Sequence, residues 1–167
     1  EIAVEKLRET YRQRLSSART SSQRADLAGQ LLILTYDAPA GVSDAALLQL
    51  IDEDLARKAR AVDVLFETAF VRARKYGTDE LDEAEGIIKL FRRASLGNGR
   101  QDITVEHAVR LAIAAANAKN FKLVDELLQV TETLLRGSSG TVFGGQMSDD
   151  VEEASRLAED LAKTTND

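Results

Sequence analysis

One stretch decides the fold: SDAALLQLIDEDLARKARAVDVLFETAFVRARKY, residues 43–76. It runs for 34 residues without a glycine or proline, and its apolar side chains recur at steps of three and four residues. That spacing is typical of an amphipathic α-helix. The stripe consists of Leu48, Ile51, Leu55, Ala59, Val62, Phe66, Ala69, Ala73 and Tyr76. The pattern favours one continuous central helix about 50 Å long. The alternative is a break near Arg57–Arg60, where basic residues interrupt the apolar density.

The same spacing continues on both sides, which predicts an all-α fold of about seven helices. Thr20 with Gln23 forms a capping box for the second helix, which Pro39 ends near Asp37. The first two helices should pack as an antiparallel hairpin. Further helix boundaries are expected at the N-caps Ser43, Thr78 and Thr104 and at the C-cap Gly77. We therefore predict an array of antiparallel helical hairpins or an irregular helical bundle.

Length and composition favour a single helical domain over residues 1–167. Within it we expect the hairpin array in residues 1–136, a glycine- and serine-rich loop in 137–148 and a terminal acidic helix in 149–163. The chain has no cysteine, so its core must form without disulfides or thiolate metal sites.

Side chains that carry chemistry are scarce. The sequence has one histidine and no cysteine or tryptophan. His107 follows Thr104 by three residues, so the Glu-x-x-His motif of di-iron bundles is absent, and we expect a solvated surface histidine. Three acidic clusters (52–54, 79–83 and 149–153) lack the glycine-punctuated spacing of a calcium loop. We therefore predict no catalytic, cofactor-binding or metal-binding residues, and no enzyme.

Charge is distributed unevenly along the chain, although the net charge is −6. Residues 1–24 carry six cations and three carboxylates, whereas residues 149–167 carry two cations and seven carboxylates. Opposite ends of this kind favour head-to-tail assembly between copies. The predicted interaction residues are Arg8, Arg12, Arg14, Arg19, Phe143, Met147, Asp149, Asp150, Glu152 and Glu153.

Two other partner classes are disfavoured. A net negative surface repels the phosphate backbone, so we expect no nucleic acid partner. No apolar run reaches the 18 or so residues that a membrane span needs, so we expect no such span.

Four segments carry a resemblance to a known group of proteins. They are LRETYRQRLSSARTSSQRADLAGQLL, ALLQLIDEDLARKA, ARKYGTDELDEAEGIIKLF and AIAAANAKNFKLVDELLQVTETLLR. Together they resemble all-helical segments of large proteins from planctomycete bacteria, which are distantly similar to tetratricopeptide hairpins. The resemblance covers Leu7 to about Arg136, and residues 137–167 lie outside it. It implies a non-catalytic, tetratricopeptide-like module of an exported or cell-envelope protein rather than a cytoplasmic one.

These observations favour a structural or protein-interaction module that assembles with copies of itself. Two alternatives remain. One is a helical carrier of a small apolar ligand, which would leave no motif in the sequence. The other is an accessory domain of a larger exported protein.

Overall fold

A computed structural model describes residues 2–91 and 100–137, together with the helical positions Glu152, Arg156 and Asp160. The prediction of an all-α fold is confirmed, because the secondary structure in these residues is helical throughout. The helices are α1 (Ile2–Thr10), α2 (Arg12–Ser17), α3 (Ser21–Tyr36), α4 (Val42–Leu50), a π-helical turn (Ile51–Ala56), α5 (Arg57–Ala59), α6 (Val62–Tyr76), α7 (Glu80–Phe91), α8 (Gln101–Asn117) and α9 (Phe121–Gly137). Whether the hairpins are arranged as in tetratricopeptide proteins stays a prediction.

The chain divides into two compact units. The first contains residues 1–83 and 94–100, and the second contains residues 84–93 and 101–167. The interpretation of the whole chain as one domain stays a prediction. In the predicted loop of residues 137–148, Gly137 is instead the last residue of α9, and the other positions lie outside the described residues. In the predicted acidic helix of residues 149–163, Glu152, Arg156 and Asp160 are helical, and the other positions lie outside the described residues.

The continuous central helix is wrong, and the alternative break is right. Regular α-helix gives way at Ile51 to a π-helical turn, in which Arg57 N–H bonds to the Asp52 carbonyl five residues earlier. The helix then ends at Ala59, because Arg60 adopts the left-handed conformation with φ of 56°. Ala61 N–H closes this end with a 3.0 Å bond to the Ala56 carbonyl. The apolar stripe resumes in α6, so two successive helical stretches carry it, one before and one after Arg60.

Several predicted boundaries are confirmed. Thr20 and Gln23 form the full capping box of α3, with bonds of 3.2 and 3.1 Å. That helix ends at Tyr36, with Asp37 as its C-cap, as Pro39 requires. Gly77 ends α6 with a positive φ of 68°, which a glycine adopts without strain.

Three predicted N-caps are wrong. α4 begins at Val42 after an extended Gly41, so Ser43 lies inside its first turn. The carboxylate of Asp79, not the Thr78 hydroxyl, accepts the Leu81 N–H at 2.8 Å. α8 starts at Gln101, so Thr104 lies within the helix, where it is buried.

The core of the first unit lies where α3, α4, the π-helical turn and α6 pack together. Its fully buried large side chains include Leu31, Leu48, Leu50, Ile51, Leu55 and Phe66. The predicted first hairpin is wrong in its packing, since the first helix is divided at Tyr11 and α1 packs against α4 rather than α3. In the second unit, α8 and α9 form a tight hairpin through Lys119, which is left-handed, and Asn120, whose carboxamide oxygen caps α9.

Candidate interaction surface

The predicted basic residues lie on α1, α2 and the turn that follows, here called the basic surface (Arg8, Arg12, Arg14 and Arg19). Arg8 is half-buried, and its Nε donates to Asp54 Oδ2 at 2.7 Å, across from α1 to the π-helical turn. Hydrogen bonds to Asp54 and Glu5 raise the pKa of Arg8 above its ordinary value. Arg8 therefore holds α1 against the π-helical turn of the same unit.

The other three arginines of the basic surface are exposed. Arg12, at the start of α2, is paired with Glu9 near the end of α1, and its side chain is 72% exposed. Arg14 Nη2 donates to Gln30 Oε1 at 2.6 Å, with its guanidinium 6.0 Å from the centre of the Tyr11 ring. Arg19 lies exposed at the turn into α3. These three cations are available to an incoming carboxylate, because their side chains are open to solvent.

A groove of about 450 Å³ runs beside the basic surface. Cationic side chains from four helices line it, with Arg24 of α3 and Lys58 of α5 joining those of α1 and α2. Asp54 lies among them and accepts a bond of 2.8 Å from Lys58. Burial disfavours the charged form of Asp54, but hydrogen bonds from Lys58 and Arg8 outweigh it and lower the pKa of this carboxyl group. The groove thus presents mixed charge, which suits a peptide or protein chain.

The three carboxylates of the acidic cluster 52–54 lie on the π-helical turn, but their surroundings differ. Asp52 is buried and pairs with Arg57 and with Arg72 Nη1, the latter at 2.8 Å. Glu53 is exposed and accepts from Gln49 at 3.0 Å. Arg72 also contacts Glu83 at 3.1 Å; burial lowers the pKa of its guanidinium, but the bonds to Asp52 and Glu83 outweigh this and raise it. Neighbouring carboxylates in the sequence therefore join different helices. No group of three or more potential metal ligands occurs in residues 2–91 and 100–137.

A second buried ion pair, here called the Lys75 clamp, joins the end of α6 to the α3–α4 loop. The side chains of Lys75 and Asp44 are 9% and 3% exposed, and Nζ lies 3.0 Å from Oδ1. The ammonium also donates to the Thr35 carbonyl and, at 2.7 Å, to the Ala38 carbonyl. Tyr76 Oη donates to Asp44 Oδ2 at 2.8 Å and accepts from Gly41 N at 3.1 Å. Every polar atom of the pair thus has a partner, as burial requires.

Apolar side chains are exposed on the outer side of α3, beside that clamp. Ile33 is 62% exposed, Leu34 53% and Tyr36 39%. We call these three residues the apolar edge of α3. Scattered exposed apolar residues are ordinary, but a contiguous group marks a candidate contact surface.

Of the remaining predicted site residues, the structure describes Glu152. Glu152 is helical, exposed and paired with Arg156 at 2.7 Å. Phe143, Met147, Asp149, Asp150 and Glu153 lie outside the described residues. His107 is half-buried on α8, more enclosed than the solvated position we predicted.

Sequence reasoning missed the Lys75 clamp and the apolar edge of α3. Lys75 and Asp44 are 31 residues apart, on different helices, and no local pattern connects them. The apolar edge had a signal, because Leu31–Leu34 is a run of four apolar residues. A single buried face of a helix cannot take in four consecutive side chains, so two of them had to face outward.

Comparisons with known proteins return no match: no family model fits the chain, and no curated protein or solved structure is similar to it. No helix in the described part of the chain is both long enough and apolar enough to cross a membrane.

Proposed function

We propose that this chain is a non-catalytic protein-interaction module that associates head to tail with copies of itself. The basic surface of one copy binds the acidic residues 149–153 of the next. The observation that carries the proposal is the exposure of Arg12 and Arg14 on α2 and of Arg19 in the turn that follows it.

Charge supports the acidic segment as the partner. Asp149, Asp150, Glu152 and Glu153 lie within five residues, and Glu152 is exposed. Complementary charges on two patches speed encounter and select orientation, even where each exposed pair adds little affinity. A patch that binds a different patch generates a head-to-tail, heterologous contact.

Light scattering of the full chain over a range of protein and salt concentrations tests the proposal. The average mass should rise with protein concentration at low salt and fall as salt is added, because salt screens charges over about 10 Å at 0.1 M. A single monomeric mass at every protein and salt concentration would contradict the proposal.

A charge-reversal variant identifies the surface. Arg12→Glu, Arg14→Glu and Arg19→Glu together should abolish the rise in mass. The matched control is Lys89→Glu, Lys119→Glu and Lys122→Glu, which makes the same change in net charge at exposed lysines elsewhere. Equal loss of association in both variants would show that net charge, not the basic surface, controls assembly.

A further inference from the structure

The apolar edge of α3 is held in place by groups that lie behind it. Thr35, between Leu34 and Tyr36, is fully buried, and its carbonyl accepts a bond from Lys75. Tyr36 Oη donates to Glu67 Oε1 of α6 at 3.0 Å. The end of α3 is therefore fixed from two sides, and a surface that is already ordered loses little entropy when it binds.

A cation lies at one end of this edge. Arg14 is bonded to Gln30, which lies one helical turn before Ile33 and Leu34 on α3. The surface therefore combines an apolar strip with an exposed cation at one end.

A partner that fits such a surface is an acidic amphipathic helix, which places its apolar stripe on the strip and a carboxylate on Arg14. Residues 149–163 have this character: six carboxylates, two cations, and apolar residues at 151, 154, 157, 158 and 161. Glu152, Arg156 and Asp160, spaced by four, are helical and exposed.

We propose that the apolar edge of α3 is the docking site for residues 149–163 of a second copy of this chain. The inference rests on the head-to-tail association proposed above and specifies where the acidic segment lies. Ile33 and Leu34 supply the central contact, and Arg14 receives a carboxylate.

A labelled peptide with the sequence of residues 148–163 (SDDVEEASRLAEDLAK) tests this site by fluorescence anisotropy with the full chain. The peptide should bind, and Ile33→Ser with Leu34→Ser should weaken binding at least about tenfold, since burying one such side chain contributes more than a factor of ten in affinity. The matched control, Ile113→Ser on α8, removes an exposed apolar side chain of the second unit and should leave binding unchanged. Circular dichroism of both variants checks that the fold is retained.

A second peptide of the same composition, with its apolar residues dispersed, separates docking from charge attraction. It should bind at least about tenfold more weakly than the native sequence. Equal binding of both peptides, binding that Ile33→Ser with Leu34→Ser does not change, or no binding of the native peptide would each overturn the inference.

Light scattering distinguishes failure of this inference from failure of the proposed function. If Ile33→Ser with Leu34→Ser still associates while the Arg12, Arg14 and Arg19 reversal does not, the docking site is wrong and head-to-tail association stands. If the unmodified chain stays monomeric, both fail.

Discussion

The Lys75 clamp and the basic surface both place a cation beside a carboxylate, in opposite surroundings. Lys75 and Asp44 are almost fully buried and join helices that are distant in sequence. Arg12 and Glu9 are exposed and lie three residues apart, on either side of the junction between α1 and α2. A buried pair that loses one partner leaves an uncompensated charge, whereas an exposed pair exchanges its partner for water. The first arrangement holds the fold together, and the second leaves a cation available for binding.

Removing the ammonium from the Lys75 clamp should have the largest effect on the free energy of unfolding. Lys75→Met is expected to lower the free energy of unfolding by about 3–5 kcal/mol, because Asp44 and two carbonyls lose a donor in a buried place. Urea denaturation followed by circular dichroism measures this. Lys122→Met, at an exposed position of α9, is the control. A loss below about 1 kcal/mol would show that the clamp contributes no more than a surface pair.

Removing the charge of Asp52 should have the next largest effect on the free energy of unfolding. Asp52→Asn keeps the shape of the side chain but removes the charge that faces Arg57 and Arg72, so we expect a loss of about 2–3 kcal/mol. Glu53→Gln changes the neighbouring, exposed carboxylate of the same π-helical turn and should cost less than about 0.5 kcal/mol. Equal effects from the two substitutions, again by urea denaturation, would contradict the distinction between buried and exposed charge.

The contribution of Asp54 to stability should be intermediate, because this residue is half-buried and joins Arg8 of α1 to Lys58 of α5. Its pKa is lowered in the folded chain, so its contribution to stability is present above the pKa of the unfolded chain and is lost as pH falls through the folded pKa. Unfolding free energies measured between about pH 5 and pH 2 should therefore fall less steeply for Asp54→Asn than for the unmodified chain. Equal slopes for the two chains would contradict the contribution assigned to Asp54.

Arg12→Ala should have the smallest effect on stability, below about 0.5 kcal/mol, since the Arg12–Glu9 pair is exposed. The same variant should nevertheless weaken self-association in light scattering at low salt. A stability loss as large as that of Asp52→Asn would show that Arg12 supports the fold rather than a partner, and would remove the contrast between the two regions.

Helix boundaries that depend on local chemistry could be predicted from the sequence. The Thr20–Gln23 capping box and the end of α6 at Gly77 were predicted correctly, because each rests on residues within a few positions of each other. Boundaries for which the sequence offered more than one solution could not be predicted. Thr78 has the side chain of an N-cap, but Asp79 takes that role. Arg60 ends a helix without glycine or proline nearby in the chain.

The residues of the candidate surface could be predicted from the sequence, but their individual contacts could not. The four arginines were identified from charge alone, but the structure separates Arg8, which ties α1 to Asp54, from the three that are exposed. Which of several similar cations finds a partner depends on the helix packed opposite, and charge counts carry no information about that.

The sequence by itself determined the class of the fold, because apolar residues at steps of three and four allow an ordered core only when the backbone is helical. It also determined that cations gather near the beginning of the chain and carboxylates near its end. Only the tertiary structure decided whether the central helix breaks near Arg57–Arg60, which carboxylate faces Lys75 or Arg72, and which apolar side chains of α3 remain outside the core. Those outcomes depend on contacts between residues 20 or more positions apart, whose energies no local pattern contains.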